Sequence, residues 1–426
     1  MGLTIAFFPE GAYGPTNNCV GIGNVLRDHG HRVVFIIEES FAGTLEAQGF
    51  EERLMRLGPP PEVEEEPGQF WKDFVAENAP VFQTSTTEQL AGFIEPTFRA
   101  LFEGAAYVDD RLTEIIEELD ADAVVEDNVV AFPALPASGR PWVRIVSCNP
   151  GEIFDADVPP VFSGLPIADR SSWPGFWDEY DRVLSPLHEE YSEFCQERGA
   201  PKLPDRAFIH ESPYLDLYAY PAEIDYARSR SSGAAWRNLD STIRSNEDAW
   251  TPPDQVEDGE GSLIYLSLGS LGSADTGLMQ RLIDTLDSSP HRAIVSMGPL
   301  HDQLRLGDRM AGAEFLPQTS VLPHVDLVIT HGGNNTVVES IHNGKPMIVL
   351  PLFWDQHDNA QRIDETGFGR RLDTYQHEPA ELLGAITGLV GDAALGERLS
   401  AISNRLQARN GVKEAATLIE AAAKSR

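Results

Sequence analysis

The strongest constraint on the fold is an alternation of short buried strands with helices, which occurs twice along the chain. Residues 3–8 (LTIAFF) and 31–38 (HRVVFIIE) are short apolar runs that predict buried strands, and residues 17–30 between them predict a helix. A second series begins at residue 262 with SLIYLSLGS and continues through RAIVSMG and DLVITHGG. Strands that alternate with helices are typical of doubly wound parallel sheets. The sequence therefore predicts an α/β protein with two such sheets.

A segment without hydrophobic periodicity separates the two series. Residues 244–262 (RSNEDAWTPPDQVEDGEGS) are rich in Pro, Gly and acidic residues, as linkers are. We predict an N-terminal domain over 1–240, a linker over 241–261 and a C-terminal domain from 262. The run YLDLYAY (214–220) predicts the last strand of the first domain, and AEFLP (313–317) a strand of the second.

Charge and cysteine content exclude several classes of protein. The net charge of −35 argues against nucleic acid or an anionic membrane as a partner, because both repel an acidic surface. The three cysteines, Cys19, Cys148 and Cys195, form no CxxC pair, so we expect neither a disulfide framework nor a structural zinc site. No apolar run approaches the ~20 residues that span a bilayer, and the start of the chain lacks the pattern of a signal peptide. We expect a soluble, cytoplasmic protein.

The stretch HGGNNTVVES (331–340) predicts a phosphate site. It follows the buried run DLVIT and begins a helix, and this strand, glycine turn and helix present free backbone N–H groups to an anion. Asn335, Thr336 and His331 add side-chain donors. Each favourable charge interaction at a helix end contributes about 0.3–1 kcal/mol, so several together suit a diphosphate. Ordinary helix capping is the alternative interpretation.

The residues around this stretch decide between the two interpretations. The segment 315–359 (FLPQTSVLPHVDLVITHGGNNTVVESIHNGKPMIVLPLFWDQHDN) resembles the donor-binding signature of the family-1 UDP-dependent glycosyltransferases. Aromatic-x-Pro-Gln, His-x-Gly-x-Asn-Ser/Thr, a Glu eight residues after the His, and a closing Asp-Gln pair all occur at the family's spacing. The resemblance implies the GT-B fold, in which two Rossmann-like domains face each other across a cleft, with the acceptor domain first. It also implies that the final helix, 412–426, packs back toward the N-terminal domain and that the donor domain spans 262–411.

The resemblance also implies a role for each residue of the donor site. Phe315 would stack on uracil, the Gln318 backbone would read the base edge, and Glu339 would accept hydrogen bonds from both ribose hydroxyls. The diphosphate would bind His331, Asn335 and Thr336 at the close approach that Gly333 permits, with Ser270 reaching it from the facing loop. Asp355 and Gln356 would bind the sugar hydroxyls, which favours a fully hydroxylated hexose such as glucose.

The sequence departs from the family's pattern at the catalytic base. The family uses a His in the loop after the first strand, held by an Asp, but here that loop is PEGAYGPTNN (9–18) and the first histidine of the chain is His29. The orienting acid is present as Asp127, at the end of AVVED. Asp127 itself is the favoured base, Glu10 in the same loop is the second candidate, and a non-catalytic nucleotide-sugar-binding or auxiliary protein is the alternative function.

The resemblance therefore predicts an inverting hexosyltransferase that uses a UDP-sugar donor and a small-molecule acceptor, such as a polyketide, a phenol or a nucleoside, as in antibiotic biosynthesis. We expect no cofactor and no metal site, because the two Asp-Ala-Asp motifs, 120–122 and 155–157, are unremarkable in so acidic a chain. The loops 59–90 and 150–200 are expected to line the acceptor pocket with aromatic residues: Phe70, Trp71, Phe82, Trp173 and Trp177. These residues could equally be core.

Overall fold

Two parallel sheets organise the molecule. A computed structural model describes residues 2–11, 13–59, 77–229, 235–243, 249–257 and 259–425. The first sheet has the order β3-β2-β1-β4-β5-β6-β7 and the second the order β10-β9-β8-β11-β12-β13. The strands of the first are β1 Thr4–Pro9, β2 Arg32–Glu38, β3 Glu51–Met55, β4 Ala123–Asp127, β5 Trp142–Val146, β6 Leu215–Tyr218 and β7 Trp236–Asn238. Those of the second are β8 Leu263–Ser267, β9 Arg292–Ser296, β10 Met310–Ala313, β11 Leu327–Thr330, β12 Met347–Val349 and β13 Gly369–Arg371.

Helices connect the strands and cover both faces of each sheet. Those of the first half are Tyr13–Asp28, Thr86–Gln89, Glu95–Leu119, Ala134–Ala137 and Trp173–Glu197. Those that follow are Asp254–Glu257, Gly269–Gly272, Thr276–Asp287, Gln318–Val321, Asn334–His342, Gln356–Glu365, Pro379–Val390, Ala393–Gln407 and Gly411–Ala423. The central strands β1, β4 and β8 are almost wholly buried. Because every strand pair is parallel, the carboxyl ends of the central strands meet at one edge of each sheet.

Two expectations about the edges of the sheets were wrong, and one edge strand was missed. Strand β7 follows the run 214–220, which is therefore not the last strand of the first sheet. Strand β3 (EERLM) was not predicted, because an edge strand that is mostly half-buried carries charged side chains and lacks an apolar run. The predicted strand 313–317 lies three residues too late, because β10 ends at Ala313 and Phe315 is exposed.

The final helix, Gly411–Ala423, lies against the first half of the chain. It packs on the helix Tyr13–Asp28 and on strands β4, β5 and β6. Its buried face, which includes Ala415, Ala416 and Ile419, shares one core cluster with the first sheet. Asp240 forms ion pairs with Arg405 (2.8 Å) and Arg409 (2.5 Å), which fix the chain entering this helix.

The helix Gln356–Glu365 of the second half is bound directly to the first half. Asp358 accepts hydrogen bonds from the backbone N–H groups of Phe162 (2.7 Å) and Gly164 (2.8 Å). Arg362 donates to the carbonyl of Ile224 at 2.8 Å. These contacts hold the two sheets with their carboxyl edges facing a common cleft. No helix among the described residues is long and apolar enough to cross a membrane.

Candidate active site

The predicted phosphate loop has the expected strand, turn and helix geometry. Strand β11 ends at Thr330, and the helix Asn334–His342 begins directly after the two glycines. Gly332 has φ +92°, and a Cβ there would lie 2.7 Å from Val349. A Cβ on Gly333 would lie 2.5 Å from the His331 ring. Only glycine fits either position, so the first N–H groups of the helix stay open to a ligand.

His331 is a neutral donor at this loop. Burial lowers its pKa to about 4, although a hydrogen bond with the backbone of Ser267 opposes the shift. The imidazole therefore carries one N–H at neutral pH, and the backbone of Ser267 accepts it, so a contact between His331 and a phosphate oxygen stays a prediction.

Two of the predicted nucleoside residues, Phe315 and Gln318, line one cavity. A cleft of about 390 Å³ is bordered by Phe315, Gln318 and Ser270. The Phe315 ring is 54 % exposed at this cleft, as expected of a ring that stacks on a base. Glu339, which is 4 % exposed, lies behind and accepts a 2.6 Å hydrogen bond from Gln318 Nε2. The same Gln318 nitrogen lies 3.2 Å from Thr336 Oγ1, so these side chains form one network.

The closing Asp-Gln pair lies at the opposite end of the phosphate loop. Asp355 accepts a 2.7 Å hydrogen bond from the backbone N–H of Asn149, which belongs to the first half of the chain. Burial raises the pKa of Asp355 to about 7, with Glu152 adding to the shift. Gln356 Oε1 accepts from the backbone N–H groups of Leu352 (3.0 Å) and Phe353 (3.3 Å). The acceptor oxygen of Gln356 thus holds the loop, and its amide nitrogen is the group that can bind a sugar hydroxyl.

Asn335 differs from the expected arrangement, because its side chain contacts the other half of the chain. Its Oδ1 accepts from Asn18 Nδ2 at 3.1 Å, and its Nδ2 donates to the Gly14 carbonyl at 3.3 Å. Both partners lie in the helix Tyr13–Asp28. In this structure Asn335 therefore joins the phosphate loop to the first domain, and its contact with a diphosphate stays a prediction.

The two candidate bases lie together at the carboxyl edge of the first sheet. Asp127, which ends β4, is 2 % exposed and accepts a 2.6 Å hydrogen bond from Ser147 Oγ. Its backbone carbonyl accepts from the N–H of Glu10 at 2.9 Å. Burial raises the pKa of Asp127 to about 8 against the effect of Ser147, and the charges of Glu10 and Glu152 add to the shift. Burial and the charge of Glu152 raise the pKa of Glu10 to about 7.

A group of further buried charges surrounds these two carboxyls. Glu126 and Arg144 are register partners on β4 and β5, and Arg144 also forms an ion pair with Glu152. Burial raises the pKa of Glu126 to about 8, an effect that Arg144 opposes. Asp127 and Glu126, with pKa values of about 8, and Glu10, with a pKa of about 7, therefore titrate near neutral pH, the range in which a general base must work.

Most of the aromatic residues expected in the acceptor pocket are core. Phe82 packs on Phe93 and Phe353, and the Trp173 indole donates to the Pro166 carbonyl. Trp177 contacts Tyr180 and the Arg206 guanidinium. Phe70 and Trp71 lie outside the described residues.

The Asp-Ala-Asp motifs serve structural roles. Asp120 pairs with Arg140, and Asp122 accepts from the backbone of Thr4. Asp155 accepts from Ser229, while Asp157 pairs with Arg170. Across the part of the chain that the structure describes, no three His, Cys, Asp or Glu side chains are grouped so that they could hold a metal ion.

Comparison with known proteins identifies the family. Residues 253–408 match the family model described as UDP-glucoronosyl and UDP-glucosyl transferase, and this range contains the whole donor signature. The donor-binding part of the chain is similar to this family. The enzyme is 24 % identical over 437 residues to the oleandomycin glycosyltransferase of Streptomyces antibioticus, with 98 % of this chain and 90 % of that protein covered.

Solved structures confirm the expected GT-B fold of the glycosyltransferase. The glycotransferase of kitacinnamycin superposes with a TM-score of 0.70 at 20 % identity and covers 99 % of both chains. The glycosyltransferase VinC, solved with dTDP, superposes with a TM-score of 0.67 at 15 % identity and covers all of both chains. The named activity of the relatives supports a glycosyltransferase enzyme.

Sequence reasoning missed three residues that connect the two halves of this enzyme. Ser147 and Asn149 follow β5, and Asn18 lies in the helix Tyr13–Asp28. Polar residues after an apolar strand of a parallel sheet lie at the ligand-binding edge. That rule could have identified the first two from the run PWVRIVSCN (141–149).

Proposed function

We propose that this enzyme transfers a hexose, with glucose as the expected sugar, from a UDP-sugar to a hydroxyl group of a small-molecule natural product. The proposal rests on the buried Glu339 carboxylate, to which Gln318 donates a 2.6 Å hydrogen bond at the cleft that Phe315 borders. A carboxylate in this position suits a ribose with two hydroxyl donors and is left with an unused acceptor beside a deoxyribose. This favours UDP over dTDP, the nucleotide in the VinC structure.

The chemistry requires one bond to break and one to form. The acceptor oxygen attacks the anomeric carbon from the face opposite UDP, the C1–O bond to phosphate breaks, and UDP leaves with the electron pair. His331 and the open N–H groups after Gly333 would stabilise the growing negative charge on the diphosphate. Asp127 would receive the acceptor proton, with Glu10 as the second candidate. The pKa of Asp127, about 8, makes its ionised form basic enough for this role, and the ionised fraction grows as the pH rises toward 8.

The acceptor class follows from the similarity of the whole chain to enzymes named for natural products, oleandomycin and kitacinnamycin among them. A polyketide, a phenol or a nucleoside remains the expected chemistry, with the hydroxyl directed toward Asp127.

The test is a screen of hydroxylated natural products with UDP-glucose, read by mass spectrometry for the mass of one hexose. The same screen with dTDP-glucose tests the donor, and Glu339→Ala serves as the matched low-binding control. We expect a hexose gain with UDP-glucose that is weaker with dTDP-glucose. A preference for dTDP-glucose would contradict the assignment of the nucleotide.

A further inference from the structure

Ser147 lies where the missing histidine would have to act. It follows β5 at the carboxyl edge of the first sheet and is half-buried. Its hydroxyl donates to Asp127 at 2.6 Å, and its backbone carbonyl accepts from Asn334 in the phosphate loop at 3.0 Å. Ser147 thus lies between the buried carboxyl and the donor site. The Asp127 carboxyl is only 2 % exposed, so an acceptor hydroxyl reaches it more readily through a neighbouring group than directly.

Asn18 fixes the orientation of this hydroxyl. Asn18 Oδ1 accepts from Thr242 at 3.4 Å, which turns the amide nitrogen toward Ser147. One amide hydrogen then goes to Ser147 Oγ at 2.8 Å and the other to Asn335 Oδ1 at 3.1 Å. Because the serine oxygen accepts from Asn18, its own proton points at Asp127.

A serine hydroxyl has one proton and two lone pairs. In Ser147 the proton is donated to Asp127, and one lone pair accepts from Asn18. No other donor in the part of the chain that the structure describes contacts this oxygen. The second lone pair can therefore accept the hydrogen of an acceptor hydroxyl. A catalytic imidazole also donates one hydrogen bond and accepts another, since one nitrogen donates to a carboxylate while the other accepts from the substrate.

We propose that Ser147 is the proton relay of this enzyme, with Asn18 as its positioning residue. The proposal rests on the proposed function. As the acceptor oxygen bonds to C1 and UDP leaves, the acceptor proton passes to Ser147 Oγ while the serine proton passes to Asp127. The serine ends the step as a neutral hydroxyl, and Asp127 ends it as a carboxylic acid that later releases its proton to solvent.

The relay is tested by UDP release from UDP-glucose, measured with an acceptor from the screen and with water. Ser147→Ala should lower kcat by about 10²-fold, at the lower end of the general-base contribution. The KM for UDP-glucose and the Kd of UDP should stay within twofold. Ser147→Thr, which keeps the hydroxyl, should recover at least about tenfold of the lost rate, at the same scale. Ser138→Ala is the matched control, because that serine also makes two hydrogen bonds but lies at the other end of β5.

Asn18→Ala gives a different pattern, because Asn18 contacts both Ser147 and Asn335. It should lower kcat and weaken UDP binding together, whereas Asn24→Ala on the same helix should change neither. Should Ser147→Ala not fold, Ser147→Cys keeps the size and offers only a weak donor, and the same loss of kcat is expected.

A double variant separates the relay from the proposed function. Because relay and base act in series, Ser147→Ala with Asp127→Asn should be no slower than Asp127→Asn alone. Wild-type kcat in Ser147→Ala, or losses that multiply in the double variant, would overturn the relay. Unchanged kcat in Asp127→Asn would instead remove the proposed base, and no UDP release by the wild type would remove the proposed function.

Discussion

Gln318 donates a 2.6 Å hydrogen bond to the carboxylate of Glu339, and the pair is in place without any nucleotide. The ribose site is therefore preformed, with one carboxylate oxygen already held by the protein. We predict that Glu339→Ala weakens UDP binding by about 1–3 kcal/mol, the usual effect of leaving buried hydrogen-bonding groups unpaired. Calorimetry with UDP and dTDP should show a large loss for UDP and a small one for dTDP, since only ribose offers the 2′-hydroxyl. Equal losses for both would contradict the ribose assignment.

Nucleotide binding should not need a metal ion. The N–H donors at the start of the helix Asn334–His342 can bind a diphosphate in place of a cation. We expect the Kd of UDP measured by calorimetry to be the same in excess chelator and in millimolar Mg²⁺. Loss of binding in chelator would require a metal site that involves the diphosphate itself.

Substitutions of Gln356 can separate its binding of the donor sugar from its structural role in holding the loop. Its Oε1 holds the Leu352 and Phe353 amides, so only Nε2 remains for the donor sugar. Gln356→Glu keeps an acceptor for the loop but removes the donor, and it should raise the KM for UDP-glucose with little change in Tm or in UDP affinity. Gln356→Ala removes both groups, so it should also lower the Tm. If Gln356→Glu uses UDP-glucose normally, this residue does not bind the sugar.

Stability should fall as the pH rises above neutral. Burial raises the pKa values of Glu10, Asp355 and Asp358 to about 7, and those of Glu126 and Asp127 to about 8, far above the ~4 of an unfolded carboxyl. The folded state holds these protons more tightly, so the stability they contribute is complete below about pH 4, declines as the pH rises above that value, and is lost once the pH has passed 7 to 8. Below about pH 6.5, histidines become protonated in the unfolded chain, whereas burial keeps residues such as His331 neutral in the folded protein. This difference favours the unfolded state and so acts in the opposite direction.

The Tm should accordingly decrease between pH 6.5 and 8.5, measured by thermal scanning at constant ionic strength. Asp127→Asn should make this decrease smaller, because one of the titrating carboxyls is gone. A Tm that rises over this range would show that the buried carboxyls are ionised in the folded protein.

The sequence predicts the fold and the site best where the pattern lies within one strand and the loop that follows it. The run DLVITHGGNN predicts β11, the glycine turn and the helix after it, because each element has its own local pattern. Strands β3 and β7 escaped prediction, since an edge strand needs little apolar sequence and a three-residue strand has no periodicity. Local rules were sufficient for the donor half of the site.

The contacts between the halves could not be predicted in this way. Asn18 and Asn335 are 317 positions apart, and Asn149 and Asn359 are 210 apart, yet each pair forms a hydrogen bond. In neither pair does the sequence around one asparagine indicate which residue is its partner. The domain limits 1–240, 241–261 and 262–411 stay predictions of the same kind, although the first sheet ends at Asn238 and the second begins at Leu263.

The central claim is that a carboxylate of the first domain replaces the missing histidine in a UDP-sugar transferase. It is tested most directly by the rate of hexose transfer from UDP-glucose by Asp127→Asn, compared with the wild type and with Glu10→Gln. Asparagine keeps the shape and can still accept from Ser147, but it cannot take a proton. We predict that its kcat falls by about 10²–10⁴-fold, the range of general-base catalysis, with unchanged UDP affinity and a smaller loss in Glu10→Gln. Wild-type turnover in both variants would contradict the claim.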